Sequence, residues 1–361
     1  MASVVASASA EQAPIAYTPE GAVAISYRAL VSSPMSLTAS IEKAFGSSPD
    51  SLGIVVVRDL PPAYPQLRKE LLGLANAFAS LPEGTRENYA DAASKYSFGW
   101  SHGKEVMNGK PDLLKGSYYA NPVLDTPDVS ATLKATYPEY YSSNIWPRDE
   151  PAIANFEAAF KGLGRFVFDV GCSLANACQP FAAAHLTDKN FALADFIRQS
   201  QTTKARLLHY FPTPPSATPE ADEPVDSWCG FHKDHSLLTG LVSAMYLRHT
   251  SGAQPEVVSA PSSSAGLYIR SRGGSLTKVV IPPDALAFQT GEALELATEG
   301  RLRATPHCVR GGASPDGTPV SRETFALFMQ PDVEARVSAD ETYGQFSRRI
   351  FEEHYPEEAK A

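Results

Sequence analysis

The feature that most constrains this 361-residue chain is a change of texture near residue 202. Beyond it come short apolar runs, ARLLHYF, LTGLVSAMYL, GLYIR, TKVVI, ALAFQ, RATPHCV and TFALFMQ, parted by stretches rich in Gly, Pro and Ser. Short strands at regular spacing with turn residues between them mark an antiparallel sandwich or barrel. The first half reads differently. Leu37, Ile41 and Phe45 recur at helical spacing and predict a short amphipathic helix. Ile54-Val55-Val56-Val57 is a β-branched run that predicts a buried strand, closed by Pro61-Pro62. Leu67, Leu71, Leu74 and Phe78 predict a second helix. Phe156, Phe160, Leu163, Val167, Val170 and Leu174 predict the longest one, ending before Pro180. Gly162 and Gly164 lower its propensity and permit close packing. The expected organisation is a flexible tail over 1–25, a mostly helical region over 26–200, an all-β core over 201–335 and a charged C-terminal helix over 336–361.

Composition excludes several classes. Hydrophobic residues make up 43% and charged residues 20%, as in a folded globular chain rather than a disordered one. With 31 Lys and Arg against 40 Asp and Glu, the net charge is −9, which argues against nucleic acid as a partner. No run approaches the roughly 18 apolar residues a membrane span needs. Four cysteines, Cys172, Cys178, Cys229 and Cys308, with no C-x-x-C, suit reduced thiols in a cytosol-like compartment. The N-terminus, MASVVASASAEQAP, lacks the basic start and long apolar run of a secretory signal. It reads as a tail on a cytoplasmic protein, with an organelle-targeting role left open. No obligate protein partner is evident. No P-loop, G-x-S-x-G, H-E-x-x-H or dinucleotide fingerprint occurs, and no carboxylate pair stands out for glycoside hydrolysis.

The segment that carries chemistry is Phe231-His232-Lys233-Asp234-His235. On an extended strand, residues two apart share a face, so His232 and Asp234 can reach one cation together while His235 points away. His307, on a later predicted strand, can supply a third ligand. Two imidazoles and a carboxylate on one face of a metal leave open positions, the arrangement that suits non-haem Fe(II) handling oxygen. Alone, H-x-D is a weak pattern. Arg322 strengthens it: it follows His307 by one turn-rich loop, GGASPDGTPVS, and a hairpin would bring it beside that histidine. A guanidinium is the preferred fork for a carboxylate, and Thr324, two residues on, can add a hydroxyl.

The ordered series of motifs resembles the iron(II)/2-oxoglutarate-dependent oxygenases of the isopenicillin-N-synthase-like type, over about residues 26–335. ARLLHYFP is similar to that family's strand ending in two aromatics and proline. FHKDHSLLT is similar to its H-T-D-x-G-x-L-T segment, and SRETFALFMQPD to its arginine strand, usually R-x-S. GIVVVRDLPP resembles its opening strand. The resemblance implies a double-stranded β-helix (jelly roll) core with helical N-terminal elements. It implies His232, Asp234 and His307 as iron ligands, and Arg322 and Thr324 as contacts to the far carboxylate of 2-oxoglutarate. Tyr210 and His209 fall where the family places co-substrate contacts, although His209 stands where Asn is usual. Lys233 replaces Thr, Ser236 replaces Gly, and Cys308 replaces the Arg that follows the distal histidine.

The implied activity is an oxidoreductase, a dioxygenase that consumes O2 and 2-oxoglutarate and releases succinate and CO2 while hydroxylating or desaturating a small organic molecule. An iron oxidase that uses no 2-oxoglutarate, and a non-catalytic small-molecule-binding protein, stay open as alternatives. For the substrate, the Gly-rich aromatic stretch over 94–122 offers Tyr96, Phe98, Trp100, Tyr118 and Tyr119. It reads either as a binding lid or as a loop whose aromatics fill a gap between domains.

Overall fold

The run Ile54-Val55-Val56-Val57 explains the layering. All four side chains are fully buried, but they alternate. Val55 and Val57 face a core shared with helices, whereas Ile54 and Val56 face a second core shared with another sheet. A strand covered on both faces has no polar side, which is why the sequence shows an unbroken apolar run. The structure is a computed structural model that describes residues 14–107, 110–186, 192–212 and 227–354.

The large sheet runs in the order Ala16–Tyr17, Val23–Ser26, Ile54–Arg58, Leu286–Thr290, Leu238–Val242, Val320–Met329, Lys204–Tyr210, Lys115–Ala120 and Gly99–His102. Met245–Arg248 and Glu256–Val258 extend it where the long strand Val320–Met329 outruns Leu238–Val242. A small sheet of Leu276–Val279, Gly266–Arg270, His307–Arg310 and Cys229–His232 packs against it. Two facing sheets of largely antiparallel strands form the expected jelly roll.

The helices cover the outer face of the large sheet. Thr38–Phe45 and Tyr64–Ala79 match the predicted pair, and the long helix Phe156–His185 crosses the sheet where glycines permit it. A Cβ on Gly164 would lie 2.3 Å from Pro122 Cβ, and one on Gly240 would lie 2.6 Å from Val167. Arg68, on Tyr64–Ala79, donates to the carbonyls of Ser243 and Ala244 at 2.8 and 2.7 Å. This fixes the turn that ends Leu238–Val242. A C-terminal helix spans Tyr343–His354.

Three expectations change. Residues 1–13 of the expected tail over 1–25 lie outside the described residues, and its second half is not a tail: Val23–Ser26 pairs in parallel with Ile54–Arg58 and buries Val23 and Ile25. An apolar run that short carries no visible period. The long helix continues through Pro180 to His185. The proline costs one backbone bond to residue 176, but Ala177, Cys178 and Ala182 around it are buried, and tertiary packing holds the turn. The stretch over 94–122 is neither a lid nor a loop throughout. Gly99–His102 and Lys115–Ala120 pair with each other, and the latter pairs with Lys204–Tyr210 to extend the large sheet. Glycines at 99, 103, 109 and 116 mask the alternation. Gly116 is required by contact, since a Cβ there would lie 2.2 Å from the Trp100 ring.

Candidate metal centre and its two cavities

His232 ends the strand Cys229–His232, which pairs with His307–Arg310 so that His232 stands directly opposite His307. Their ring centroids are 4.2 Å apart. Asp234 follows in the bend after that strand. Its backbone carbonyl accepts from Glu292 N at 2.7 Å, and a Cβ on Gly291 would sit 2.1 Å from Ser236 O. Only glycine lets the 234–236 segment dock there. The Asp234 carboxylate then lies 3.8 Å from His232 Nε2 and 3.9 Å from His307 Nε2. One ligand atom from each of the three residues lies within 4.8 Å of the others, a spacing one cation can bridge.

The surroundings orient each ligand. His232 Nδ1 donates to Gly230 O at 2.8 Å and His307 Nδ1 donates to Thr305 O at 3.0 Å. Both Nε2 atoms are thereby turned toward Asp234, where a metal needs them, and His307 Nε2 also lies 3.3 Å from the Gln289 amide nitrogen. Gln289 Nε2 donates to Asp234 Oδ2 at 2.6 Å and leaves Oδ1 facing the histidines. Burial opposes every charge here. It is outweighed at Asp234, which His307 and His232 hold below the ordinary carboxylate range. It is also outweighed at His232, which Cys229 and Asp234 push up to about 9. At His307, burial and the neighbouring His232 act together and bring the imidazole down to about 4. A metal binds such ligands only in their deprotonated forms, so its binding competes with protons at His232.

A cavity of about 450 Å³ between the sheets is lined by His232, Asp234, His307, Tyr210, Arg322 and Thr324. Small residues on the inner strand faces, Ala326, Ala265 and Gly266, leave the space open. Arg322 reaches it by a route other than the expected hairpin. His307–Arg310 belongs to the small sheet and Val320–Met329 to the large one, so the two strands face one another across the barrel. Arg322 sits in register between Tyr210 and Tyr246, its guanidinium 4.9 Å from the Tyr210 ring centroid. It is 6% exposed, and Nε and Nη1 are buried with no hydrogen-bond partner among the described residues. Thr324 lines the same wall, but its hydroxyl donates to Val242 O at 2.9 Å. It therefore offers the cavity lone pairs rather than the expected donor.

Strand parity separates the other candidates. Along Lys204–Tyr210, residues 204, 206, 208 and 210 stand opposite Phe328, Ala326, Thr324 and Arg322 and line the interior. His209 points the other way, and its Nδ1 lies 2.9 Å from the Glu323 carboxylate, outside the cavity. The expected co-substrate contact at His209 is thus corrected by a single-residue offset. Tyr118 and Trp100 likewise face the helix-side core, and Phe98 is buried, at 1% exposure. None of the three lines either cavity. Tyr96 and Tyr119 do face a second cavity, about 270 Å³, which opens beside His232 and Asp234 and is also lined by Lys204, Arg206 and Phe328. Tyr96 holds a left-handed backbone, φ 56°, directly after Lys95 at 55°. Such geometry is uncommon for bulky residues and persists where surrounding structure imposes it.

Sequence reasoning missed Gln289, Tyr246, Lys204 and Cys229. Tyr246 meets Arg322 only through register. Cys229 lies 3.8 Å from His232 Nδ1 and 3.9 Å from Lys115 Nζ. Burial opposes its thiolate, but Lys115 and His232 bring the thiol down to about 7. All four cysteines are buried and none is in a disulfide. Cys308 is on the opposite face of its strand from His307, and His235 turns to Phe346, 5.8 Å between ring centroids. The replacement Lys233 lines the second cavity and reaches Glu295 at 3.4 Å. Among the described residues no helix is long and apolar enough to cross a membrane.

No protein-family profile and no curated protein matches the chain. Solved structures do. A 2OG-Fe(II) oxygenase family protein from Caulobacter crescentus superposes with a TM-score of 0.66 at 19% identity, over 94% of this chain and 99% of that one. A Neurospora crassa protein in complex with alpha-KG and 5-formyluracil gives 0.62 at 14% identity, over 90% and 89%. The rice dioxygenase for auxin oxidation gives 0.57 at 16% identity, over 91% and 94%. A backbone alike across nearly the whole of each chain, built around inward-facing His232, Asp234 and His307, gives this protein the fold of the 2OG-Fe(II) oxygenases.

Proposed function

We propose that the protein is an Fe(II)- and 2-oxoglutarate-dependent dioxygenase that oxidises a small organic molecule. One observation carries the reading: a two-histidine, one-carboxylate cluster and a buried guanidinium with unbonded donors open onto the same cavity. The donor set fits Fe(II). Two imidazoles and a carboxylate suit that ion, and a facial arrangement leaves positions for a chelating co-substrate and oxygen. His232, Asp234 and His307 would hold it, and when bound it supplies oxygen activation coupled to oxidative decarboxylation of the keto acid.

The chain's own residues do the rest. Gln289 and the two backbone carbonyls keep the ligand atoms aimed inward. Arg322 offers its guanidinium to the far carboxylate of the keto-diacid, and the Tyr210 ring beneath keeps the guanidinium from folding away. The apolar walls Leu208, Leu267 and Val309 exclude water from between the two ends. The second cavity, on the other side of the cluster, is left for the molecule to be oxidised.

Anaerobic addition of Fe(II) and then 2-oxoglutarate should produce a weak visible metal-to-ligand band, absent in Asp234→Ala. In air, oxygen uptake should match succinate formation. Oxygen uptake without succinate would indicate an iron oxidase. No band in the wild-type protein would indicate a binding protein that does no chemistry.

A further inference from the structure

Among the described residues, one basic side chain of the second cavity has no ion-pair partner. Lys204 is 7% exposed and lines that cavity. Its Nζ donates to the main-chain carbonyl of Glu139 and lies 3.9 Å from the Phe98 ring centroid. No carboxylate of the described residues lies within ion-pair distance of it: the Glu139 carboxylate lines the same cavity but turns Oε1 to Lys95 and keeps Oε2 buried without a hydrogen-bond partner, and the cavity's other cations are paired. Arg206 pairs with Glu105 at 2.7 Å, Lys95 with Glu139 at 3.4 Å, and Lys104 with Glu87 at 3.3 Å. Lys233 pairs with Glu295, and Asp234 belongs to the metal cluster. A carbonyl and a ring face leave the ammonium short of acceptors, and an ammonium buried this way is costly unless an anion reaches it. Burial alone pushes this amine down to about 7, with the Glu139 carboxylate opposing.

The remaining lining sets the body of the ligand. Tyr96, Tyr119, Tyr140 and Phe328 present ring surfaces. A cavity of about 150 Å³ holds one benzene. The 270 Å³ here therefore has room for one ring and a short side chain.

We propose that the substrate is a small monocarboxylic acid with one flat ring, its carboxylate held by Lys204 and its ring by the surrounding aromatics beside the metal cluster. This rests on the dioxygenase reading for the word substrate, but the binding claim is testable apart from it. The parity of Lys204–Tyr210 gives the two acids separate anchors: Lys204 for the acid to be oxidised, Arg322 for the keto-diacid.

The test uses calorimetric titration of the full-length protein with benzoate, phenylacetate and cinnamate, each against its neutral amide. The same titrations are run on Lys204→Met and Lys204→Arg, with melting temperature as the folding control. At least one acid should bind ten times more tightly than its amide. Lys204→Met should erase that preference and Lys204→Arg should keep part of it. If no acid outcompetes its amide, whether both bind alike or neither binds, the proposal is overturned, and likewise if Lys204→Met retains the preference. The iron and 2-oxoglutarate band, recorded on the same preparation, separates the two readings. A band without acid preference refutes the Lys204 anchor alone, and acid preference without a band refutes the dioxygenase.

Discussion

Arg322→Met tests the co-substrate site most directly. Methionine keeps much of the side-chain length and removes the charge. In the free protein the guanidinium is 6% exposed, with Nε and Nη1 unbonded among the described residues, so much of the cost of burying it is present before any ligand arrives. A carboxylate then forms charge-assisted bonds with it at a reduced desolvation penalty on the protein side. Removing one member of such a pair costs about 2–5 kcal/mol. Taking about 3 kcal/mol, and about 1.4 kcal/mol per tenfold, the Kd for 2-oxoglutarate should rise about a hundredfold. The assay is anaerobic titration of the Fe(II)-loaded protein, following the visible band. A control isolates the contact. 2-Oxobutanoate keeps the chelating end and lacks the far carboxylate, so its weaker binding should be the same in wild type and variant. The apo variant should melt no lower than wild type, because an unpaired buried cation has been removed. A change in 2-oxoglutarate Kd below threefold, or an equal loss for 2-oxobutanoate, would refute the assignment of Arg322 to that carboxylate.

Further outcomes follow from the same geometry. Gln289→Leu frees the Asp234 carboxylate to rotate and should weaken Fe(II) binding about 10–100-fold, read by metal titration with little change in fold. Gly164→Ala gains about 1 kcal/mol of helix propensity. It also drives a Cβ to 2.3 Å from Pro122, a rigid neighbour, so the net effect should be a loss of about 1–3 kcal/mol on thermal melting. An unchanged melting temperature would show that helix and loop can part. Asp125 supplies a pH signature. Partial burial opposes its ionisation, but Lys161, Asn144 and Trp146 hold it down to about 2. A carboxyl held below its unfolded value stabilises above that value and loses the contribution as pH falls. Wild type should therefore melt above Asp125→Asn at pH 6, and the gap should close between about pH 4 and pH 2. A gap that is constant through that window would remove the ion pair as its cause.

Much of the barrel was legible because strands carry their own period. The apolar runs from ARLLHYF to TFALFMQ became strands of one sheet or the other, and LTGLVSAMYL divided into Leu238–Val242 and Met245–Arg248 at Ser243-Ala244. The helices at 38–45 and 64–79 were likewise visible in spacings of three and four. Where glycine interrupts the pattern, between residues 94 and 122, the strands were hidden. Of the aromatics there, which read either as substrate contacts or as packing, Phe98, Trp100 and Tyr118 are buried, and Tyr96 and Tyr119 line the second cavity. His209 shows the limit more sharply. Its neighbour Tyr210 lines the cavity, and a strand reverses its face at each residue, so family position without parity chose the wrong side.

By itself the sequence determined the residue types and their local spacing: a histidine and an aspartate two apart, a later histidine, an arginine opening an apolar strand. Those are chemical facts, independent of folding. Only the tertiary structure decided which sheet each strand joins, and so that Arg322 confronts His307 across the barrel rather than beside it. It alone paired Lys95, Lys104 and Arg206 with carboxylates and left Lys204 without one among the described residues. Register and cross-sheet packing are set by contacts between residues from about fifty to more than a hundred positions apart, and no local window of sequence contains them.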